Sequence, residues 1–596
     1  MSGGMSPQPS LEAEPLPVSE GKRTLALVGL AVLAAAALYL WGSYGSALSE
    51  PDEARYGEIA REMLVSGDWL TPHLNFVKYF EKPPLVYWAT GLAFAGLGAT
   101  ELAARLPSIL SALLTLALTG WLARRLYGSA TALLAVVCLA VSPLFGVLAI
   151  VLTLDMALTA FMTLAMCCAW AAVSAAAPTL ALPRGGGGKR PAGDALSALS
   201  ALPPPRRGRG GAQTWIRAAY AATALAMLVK GPVAAVLVGA AIFVFVLTHG
   251  GLRGLRPWLD WRAFALAAAI ALPWFVLVGA RNPEFWHFFI VDQHINRYVS
   301  SREHGEPIWF FLPVLPLALV PWGLVALFDP AALRDAWDPR TWTPGTRFCA
   351  IWAAVIVGFF SVSAGKLLTY VLPALPPLAV LCARLVLWSL ARGRVAGLTR
   401  VGWLCLLGGL VIGLCAALLP LFSDHWRVHA IAPYLYAAAG PLAATGWIIG
   451  RLVAARRARA ALVVLGAGWT LVFAIAVAGR GVANEYRPLG LAAGAAMAPN
   501  DRLALYRKYV QGMAFYAGRR TILVGGRGEL KFGSLQGDHA AWFWPTDADL
   551  VREWQAPGRL LVLFNRDDLD RLRPQLDPPP LEVAAKDKKV LVKNRP

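Results

Sequence analysis

The sequence predicts an all-α polytopic membrane protein with a small α/β domain at its C-terminal end. Three observations lead there. Of 596 residues, 57% are hydrophobic and only 15% are charged, and many apolar runs reach the roughly 20 residues a helix needs to cross a bilayer. Arginines gather between alternate apolar runs, as they do in cytoplasmic loops. After Tyr486 the pattern changes. Strand-like runs at Leu503–Tyr506, Thr521–Val524 and Leu560–Phe564 alternate with helical stretches, the mark of an α/β unit.

The net charge of +20 belongs to those arginine loops. No recognition motif accompanies it, so nucleic acid is not an expected partner and membrane lipids are. The 7 cysteines (Cys138, Cys167, Cys168, Cys349, Cys382, Cys405 and Cys415) all lie in or beside apolar spans. Neither a disulfide framework nor a cysteine metal site is expected.

Charge bias sets the order of elements. Lys22 and Arg23 make residues 1–23 a cytoplasmic tail, and Thr24–Leu48 reads as an uncleaved signal anchor. Residues 49–105 then lie outside. Within them, Leu85–Ala99 is too short to cross and reads as a juxtamembrane or re-entrant helix, which keeps Arg124 and Arg125 inside. Residues 178–213, rich in Pro, Gly, Ala and Arg, form a cytoplasmic low-complexity linker. The loops around Arg253–Arg262, Arg334–Arg347, Arg392–Arg400 and Arg451–Arg459 are inside as well. The count comes to about thirteen spans across residues 24–484. Residues 281–307 are then an outer loop, and residues 485–596 an outer, periplasmic α/β domain.

The residues suited to chemistry collect on the outer side. Asp52, with Glu53, Arg55 and Tyr56, opens an amphipathic stretch. A carboxylate beside an arginine stays ionised and can act as a base or orient an acceptor, and Ser49 or Asp52 can equally serve as a helix N-cap. In Tyr79-Phe80-Glu81-Lys82-Pro83-Pro84 the prolines stiffen a cation beside a carboxylate, which suits a phosphate with or without a divalent ion. Asp155 stands almost alone in an apolar stretch, so its partner must come from another helix. Lys230-Gly231-Pro232 and Gly365-Lys366-Leu367-Leu368-Thr369-Tyr370 place further cations and a phenol at span ends. The aromatic segment Asn282–Tyr298 suits an interfacial anchor. On a helix its His294 and Arg297 share a face, able to hold a phosphate or, for His294, a metal. Lys82, Arg297 and Lys366 together can surround a phosphate head group. Gly525-Gly526-Arg527-Gly528 lacks the Walker spacing and reads as a glycine turn.

These motifs, with Glu101-Leu102-Ala103-Ala104-Arg105 and Phe285-Trp286-His287-Phe288-Phe289, run in family order. The chain resembles the bacterial polyprenyl-phosphate-sugar glycosyltransferases related to protein O-mannosyltransferases, most of all the lipid A 4-amino-4-deoxy-L-arabinose transferases (ArnT-type). The resemblance implies a GT-C fold with periplasmic juxtamembrane helices. It implies an inner-membrane enzyme with its active site facing the periplasm, where an acceptor oxygen displaces undecaprenyl phosphate from the sugar with inversion. It places Asp52 and Asp155 as the two acidic catalytic positions. Tyr79, Lys82, Arg297 and Tyr370 fall at lipid-phosphate contacts, beside Arg55, Tyr56, Lys230 and Lys366. It leaves room for a divalent cation (Zn or Mg) at Glu81 and His294. The loop departs from the family pattern at Asp292-Gln293-His294, where a Glu before the His is expected. A lipid A phosphate is already an anion and needs alignment rather than a base, whereas a hydroxyl acceptor needs Asp52 as base. Two other readings remain: the same fold moving another lipid-linked sugar to lipid A, glycan or protein, and a transporter or flippase. No inverted repeat in the hydropathy supports the last.

Overall fold

A computed structural model describes residues 18–176, 209–296, 305–336, 338–339, 342–422, 426–481 and 486–596. Most of the predicted linker 178–213, the N-terminal tail up to residue 17, and Arg297 lie outside the described residues.

Among the described residues, ten helices are long and apolar enough to cross a membrane. They include α1 (Val18–Ser43), α4 (Glu101–Tyr127), α7 (Leu154–Ala176), α9 (Val233–Leu255) and α10 (Trp261–Arg281). The pair α5 (Ser129–Ala140) and α6 (Pro143–Ala149), bent by 69°, makes an eleventh span if taken as one. The sequence count of about thirteen is higher than these ten to eleven, and two further apolar elements stand beside them. One is α8 (Arg209–Lys230), which carries Arg217 and Lys230 on an otherwise apolar helix. The other is the broken pair Phe311–Ala318 and Trp322–Leu327. The run after Pro84 forms α3 (Leu85–Leu97), 13 residues long and too short to cross.

Local chemistry sets the helix ends. The Thr100 side chain accepts the Ala103 N–H at the start of α4, whose last turn carries Arg124 and Arg125. Asp260 caps α10 at Arg262 N–H and binds Arg217 of α8 at 2.8 Å, joining the two helices at their arginine-rich end.

Helix α2 (Asp52–Ser66) departs from expectation at its start. Pro51 occupies the N-cap with no side-chain cap bond, so neither Ser49 nor Asp52 caps it. Instead Glu53 turns back to accept the Ser49 N–H (3.0 Å) and hydroxyl (2.7 Å). After α2 comes a small hairpin of β1 (His73–Leu74) and β2 (Val77–Lys78).

The C-terminal part carries a six-stranded sheet, ordered β5-β4-β3-β6-β8-β7. β3 (Arg502–Tyr506), β4 (Thr521–Val524) and β6 (Leu560–Asn565) are the three strands expected from sequence. They run parallel, as does β5 (Phe543–Trp544) beside β4. β7 (Leu581–Lys586) and β8 (Lys589–Lys593) add an antiparallel edge. Alternation decides the layers. Ala504, Tyr506, Ile522 and Val562 pack on helices Asp547–Gln555 and Arg566–Leu572. Leu503, Leu505, Leu523 and Leu561 join the main core, on the side of helix Gln511–Ala517, which in turn packs on α2. Asn75 in the hairpin turn locks this arrangement: its amide donates to Thr521 O and accepts the Thr521 N–H, both at 2.8 Å. Gly533 lies so close to Lys78 O that an added Cβ would sit 2.2 Å from it, so the chain crossing there needs glycine.

Candidate active site

The site is built at the N-terminal end of α2. Glu53 is fully buried there and accepts Arg105 Nε at 2.7 Å and Nη2 at 3.0 Å. It also takes the Leu152 N–H at 2.9 Å. Arg105, likewise fully buried, donates to Ser43 O, Ser46 O and Ala47 O. Burial alone pushes the Glu53 carboxyl up, but Arg105, Arg480 and the Leu152 amide together hold it below the ordinary carboxylate range. This one pair ties the end of α1, the start of α2, the start of α4 and the turn leading into α7.

That tie brings the two predicted acidic positions together. Asp52 is exposed on the first turn of α2 and pairs with Arg55 at 3.0 Å. Arg55 reaches the other way to Glu529 at 2.7 Å. Asp155 opens α7 and meets the Lys230 ammonium at 2.5 Å, both largely buried. Lys230 also lies 5.0 Å from the centre of the Tyr370 ring. The partner demanded for Asp155 thus comes from another helix, at a lysine the sequence had placed in the same group of candidates.

Between the two acidic groups stand phenols. Tyr56 feels the charges of Asp52, Arg55, Asp155 and Glu81, and burial is the main cause of its raised pKa. Tyr56 and Tyr87 rings are 5.9 Å apart. Tyr79 is buried beside Glu81 and Arg55 and is also pushed up, first by burial. The buried hydroxyls of Tyr79 and Tyr87 have no hydrogen-bond partner among the described residues. Buried donors of this kind cost about 1–3 kcal/mol each when unsatisfied, so they suit a ligand oxygen. Neutral phenols at working pH can donate to phosphate.

Lys82 lies half-buried in the same loop, after Glu81. Lys366 is turned onto the chain itself, donating to Glu306 O and Ser363 O at 2.7 Å each, and is 6% exposed. Arg297 is outside the described residues, so the grouping of Lys82, Arg297 and Lys366 around one phosphate is not visible. The aromatic segment divides. Phe285 and Phe289 are buried against Phe80 and Trp274, while Trp286 and Ile295 stay exposed. It is therefore packed on one side and apolar on its exposed side. Lys78 meets Glu284 at 2.6 Å and fixes this segment to the β1–β2 hairpin.

His294, one of the two expected metal contacts, has its side chain outside the described residues. Among the described residues no three His, Cys, Asp or Glu side chains gather as ligands. Glu81 instead lies within electrostatic reach of Arg55, Tyr56 and Tyr79. No step below passes through a metal.

Sequence reasoning missed Arg105, Tyr87 and Glu529 as site residues and did not foresee that Glu53 is fully buried. Arg105 was a charge inside an apolar helix, and Glu53 sat beside Asp52; both signals were present. Tyr87 carried no signal. Glu529 follows the glycine turn at Gly525 and Gly528, both at positive φ, and nothing in sequence connects it to Arg55.

The family described as Dolichyl-phosphate-mannose-protein mannosyltransferase matches residues 27–181. The Aminoarabinose transferase C-terminal domain matches residues 490–594. An undecaprenyl phosphate-alpha-4-amino-4-deoxy-L-arabinose arabinosyl transferase of Pectobacterium carotovorum is 31% identical, over 90% of this chain and 93% of the relative. The chain belongs to the aminoarabinose arabinosyl transferase family. Another member, from Erwinia tasmaniensis, is 33% identical, and there the alignment spans 56% of this chain and 55% of the relative, just over half its length. The crystal structure of ArnT from Cupriavidus metallidurans bound to undecaprenyl phosphate superposes with a TM-score of 0.80 at 26% identity, covering 96% of this chain and 98% of that one. The family's GT-C architecture, a multi-pass helical core with a small sheet domain, is the fold observed.

Proposed function

We propose that this protein transfers 4-amino-4-deoxy-L-arabinose from undecaprenyl phosphate to a lipid A phosphate, at the periplasmic face of the inner membrane. The observation that carries this reading is the near-complete overlay on an ArnT structure bound to undecaprenyl phosphate, with Asp52–Arg55 and Asp155–Lys230 gathered at one end of the bundle.

A phosphate oxygen of the acceptor attacks the anomeric carbon. The bond from that carbon to the lipid phosphate oxygen breaks, and undecaprenyl phosphate leaves carrying the electron pair. An acceptor that is already an anion needs no base, so the work is alignment and charge neutralisation. Lys230 and the phenols Tyr79, Tyr87 and Tyr370 suit the departing phosphate. Asp155 holds Lys230 in place and supplies a carboxylate for the cationic amino group of the sugar. Asp52 and Arg55 orient the acceptor.

The mannosyltransferase match over residues 27–181 favours one second reading, another lipid-linked sugar passed to a hydroxyl. Asp52, exposed and beside Arg55, is then the base.

The test is expression in a lipid A-producing strain lacking its own transferase, followed by lipid A mass spectrometry, with an Asp52→Ala copy alongside. An aminoarabinose-sized increment, lost in the variant, supports the first reading. A well-expressed protein that leaves lipid A unchanged overturns it and directs the search to hydroxyl acceptors.

A further inference from the structure

A cavity of about 1050 Å³ lies far from this site. Its walls come from helices Pro344–Val362 and Leu375–Ala391 and from the broken pair Phe311–Ala318 and Trp322–Leu327. Helix Pro344–Val362 ends next to the Lys366–Tyr370 segment at the active site. Thr346 and Ala350, which line the cavity, lie toward the other end of that helix. Helix rise puts its two ends about 27 Å apart. The mouth is therefore at the arginine-rich end of the bundle.

The lining is split by polarity. Leu315, Leu319, Leu378, Leu381 and Ala350 line the depth, whereas Arg334, Arg384, Arg392 and Arg394 line the mouth with Asp335 and Asp338. Four cations face two carboxylates. Arg394 is paired with Asp335 at 3.0 Å. Among the described residues, neither Arg334 nor Arg392 makes an ion pair. Trp388 lies under two of the arginines, 3.8 Å from Arg392 and 5.2 Å from Arg394, which fixes their planes. Arg384 is held at one nitrogen by Tyr127 and Thr346, and a guanidinium keeps further donors beyond that contact.

We infer that this cavity binds an anionic phospholipid, with its phosphate among Arg334, Arg384 and Arg392 and an acyl chain in the leucine-lined depth. A free phosphate has no use for an apolar depth. A lipid with no net charge leaves the excess of arginine over carboxylate unbalanced, whereas an anionic headgroup offers it charge-assisted contacts. Basic pockets between transmembrane helices are a known form of headgroup site, and the volume is at the upper end for small-ligand pockets.

The test is native mass spectrometry of the full chain in neutral detergent, supplied with phosphatidylglycerol or phosphatidylcholine of identical acyl chains. Wild type is expected to retain phosphatidylglycerol about tenfold better, the scale of a lost charge-assisted contact. Arg392→Gln and Arg334→Gln, both exposed positions, are expected to bring it down to the phosphatidylcholine level without moving the unfolding midpoint. Ala350→Phe fills the depth and leaves every arginine. It is expected to reduce retention of both lipids, and it decides the matter should an arginine variant not fold. Equal retention of the two lipids by wild type overturns the inference, as does unchanged retention in Ala350→Phe. Displacement of the lipid by millimolar inorganic phosphate, with Ala350→Phe silent, assigns the mouth to a free anion instead.

Discussion

Two neighbouring carboxylates, Asp52 and Glu53, belong to regions built on opposite principles. The seam around Glu53 is dry and saturated. Glu53 and Arg105 are both 0% exposed, and each oxygen and nitrogen between them has partners. The mouth around Asp52, Arg55, Asp155 and Lys230 is partly open, and the buried hydroxyls of Tyr79 and Tyr87 beside it have no partner among the described residues. A saturated buried pair holds geometry, because removing either half strands a charge in low dielectric. An unsaturated mouth keeps hydrogen-bonding capacity for a substrate. Position in the sequence does not separate the two roles; burial and partner count do.

The largest expected effect breaks the seam. Arg105→Ala leaves Glu53 without its main partner and is expected to cost about 3–5 kcal/mol. Size-exclusion chromatography in detergent should show little monodisperse protein. Recovery of a folded variant with wild-type midpoint would falsify the structural role of the pair. Next in size is the mouth. Asp155→Asn keeps a hydrogen bond to Lys230 but removes the charge. It is expected to lower sugar transfer by about 10²-fold, the scale seen when one electrostatic group in a catalytic site is lost, while the unfolding midpoint stays put. A parallel loss of stability would move Asp155 into the same class as Glu53.

Between the two regions lies Glu529, on the sheet domain but bound to Arg55. Glu529→Gln is expected to reduce transfer about tenfold, with recovery of neither rate nor KM by added salt; an unchanged rate places it with the seam's structural contacts.

The pH dependence sharpens the same contrast. Glu50 caps the contact with helix Gln511–Ala517, accepting Gly512 N–H at 2.6 Å. Burial pushes its carboxyl up to about 7, against the Gly512 amide and Lys508, which lower it. A raised folded-state pKa means that the folded chain binds the extra proton. The stabilisation is full below the ordinary 4.5 and is lost as pH rises through about 7. Glu53 has the opposite sign: its stabilisation is present above the ordinary carboxylate range and is lost on acidification. Thermal unfolding is therefore expected to shift upward from pH 7.5 to pH 6 in wild type and to show a flatter response in Glu50→Gln. An identical slope in both chains removes Glu50 from the account.

The smallest effect belongs to Lys78–Glu284, whose side chains are 29% and 22% exposed. Glu284→Gln is expected to cost about 1 kcal/mol or less, read from the unfolding midpoint. A larger loss shows that the hairpin depends on this pair for its seat on the aromatic segment that follows α10.

Much of this was legible in the chain. Apolar length gave the spans, because a bilayer imposes a minimum run on any helix that crosses it. Alternation gave three of the parallel strands; the antiparallel edge β7–β8 was not read, since its residues are mixed with lysines. Charge at the edge of hydrocarbon, costly without a role, named Asp52 and Asp155, whereas the phenol Tyr79 was named through the family resemblance. By contrast, Ser49 and Asp52 each carried the N-cap signature, and Glu53 decided the matter by folding back onto Ser49.

By itself, then, the sequence determined which residues carry charge into an apolar setting and that the chain crosses a membrane many times, since both follow from solvation of each segment taken alone. Tertiary structure decided which of those charges meet. Asp155 finds Lys230 from α8, Arg55 finds Glu529 from the sheet domain, and Lys366 spends its donors on Glu306 and Ser363. Electrostatic pairing acts over a few ångströms in space, and distance along the chain carries no record of it.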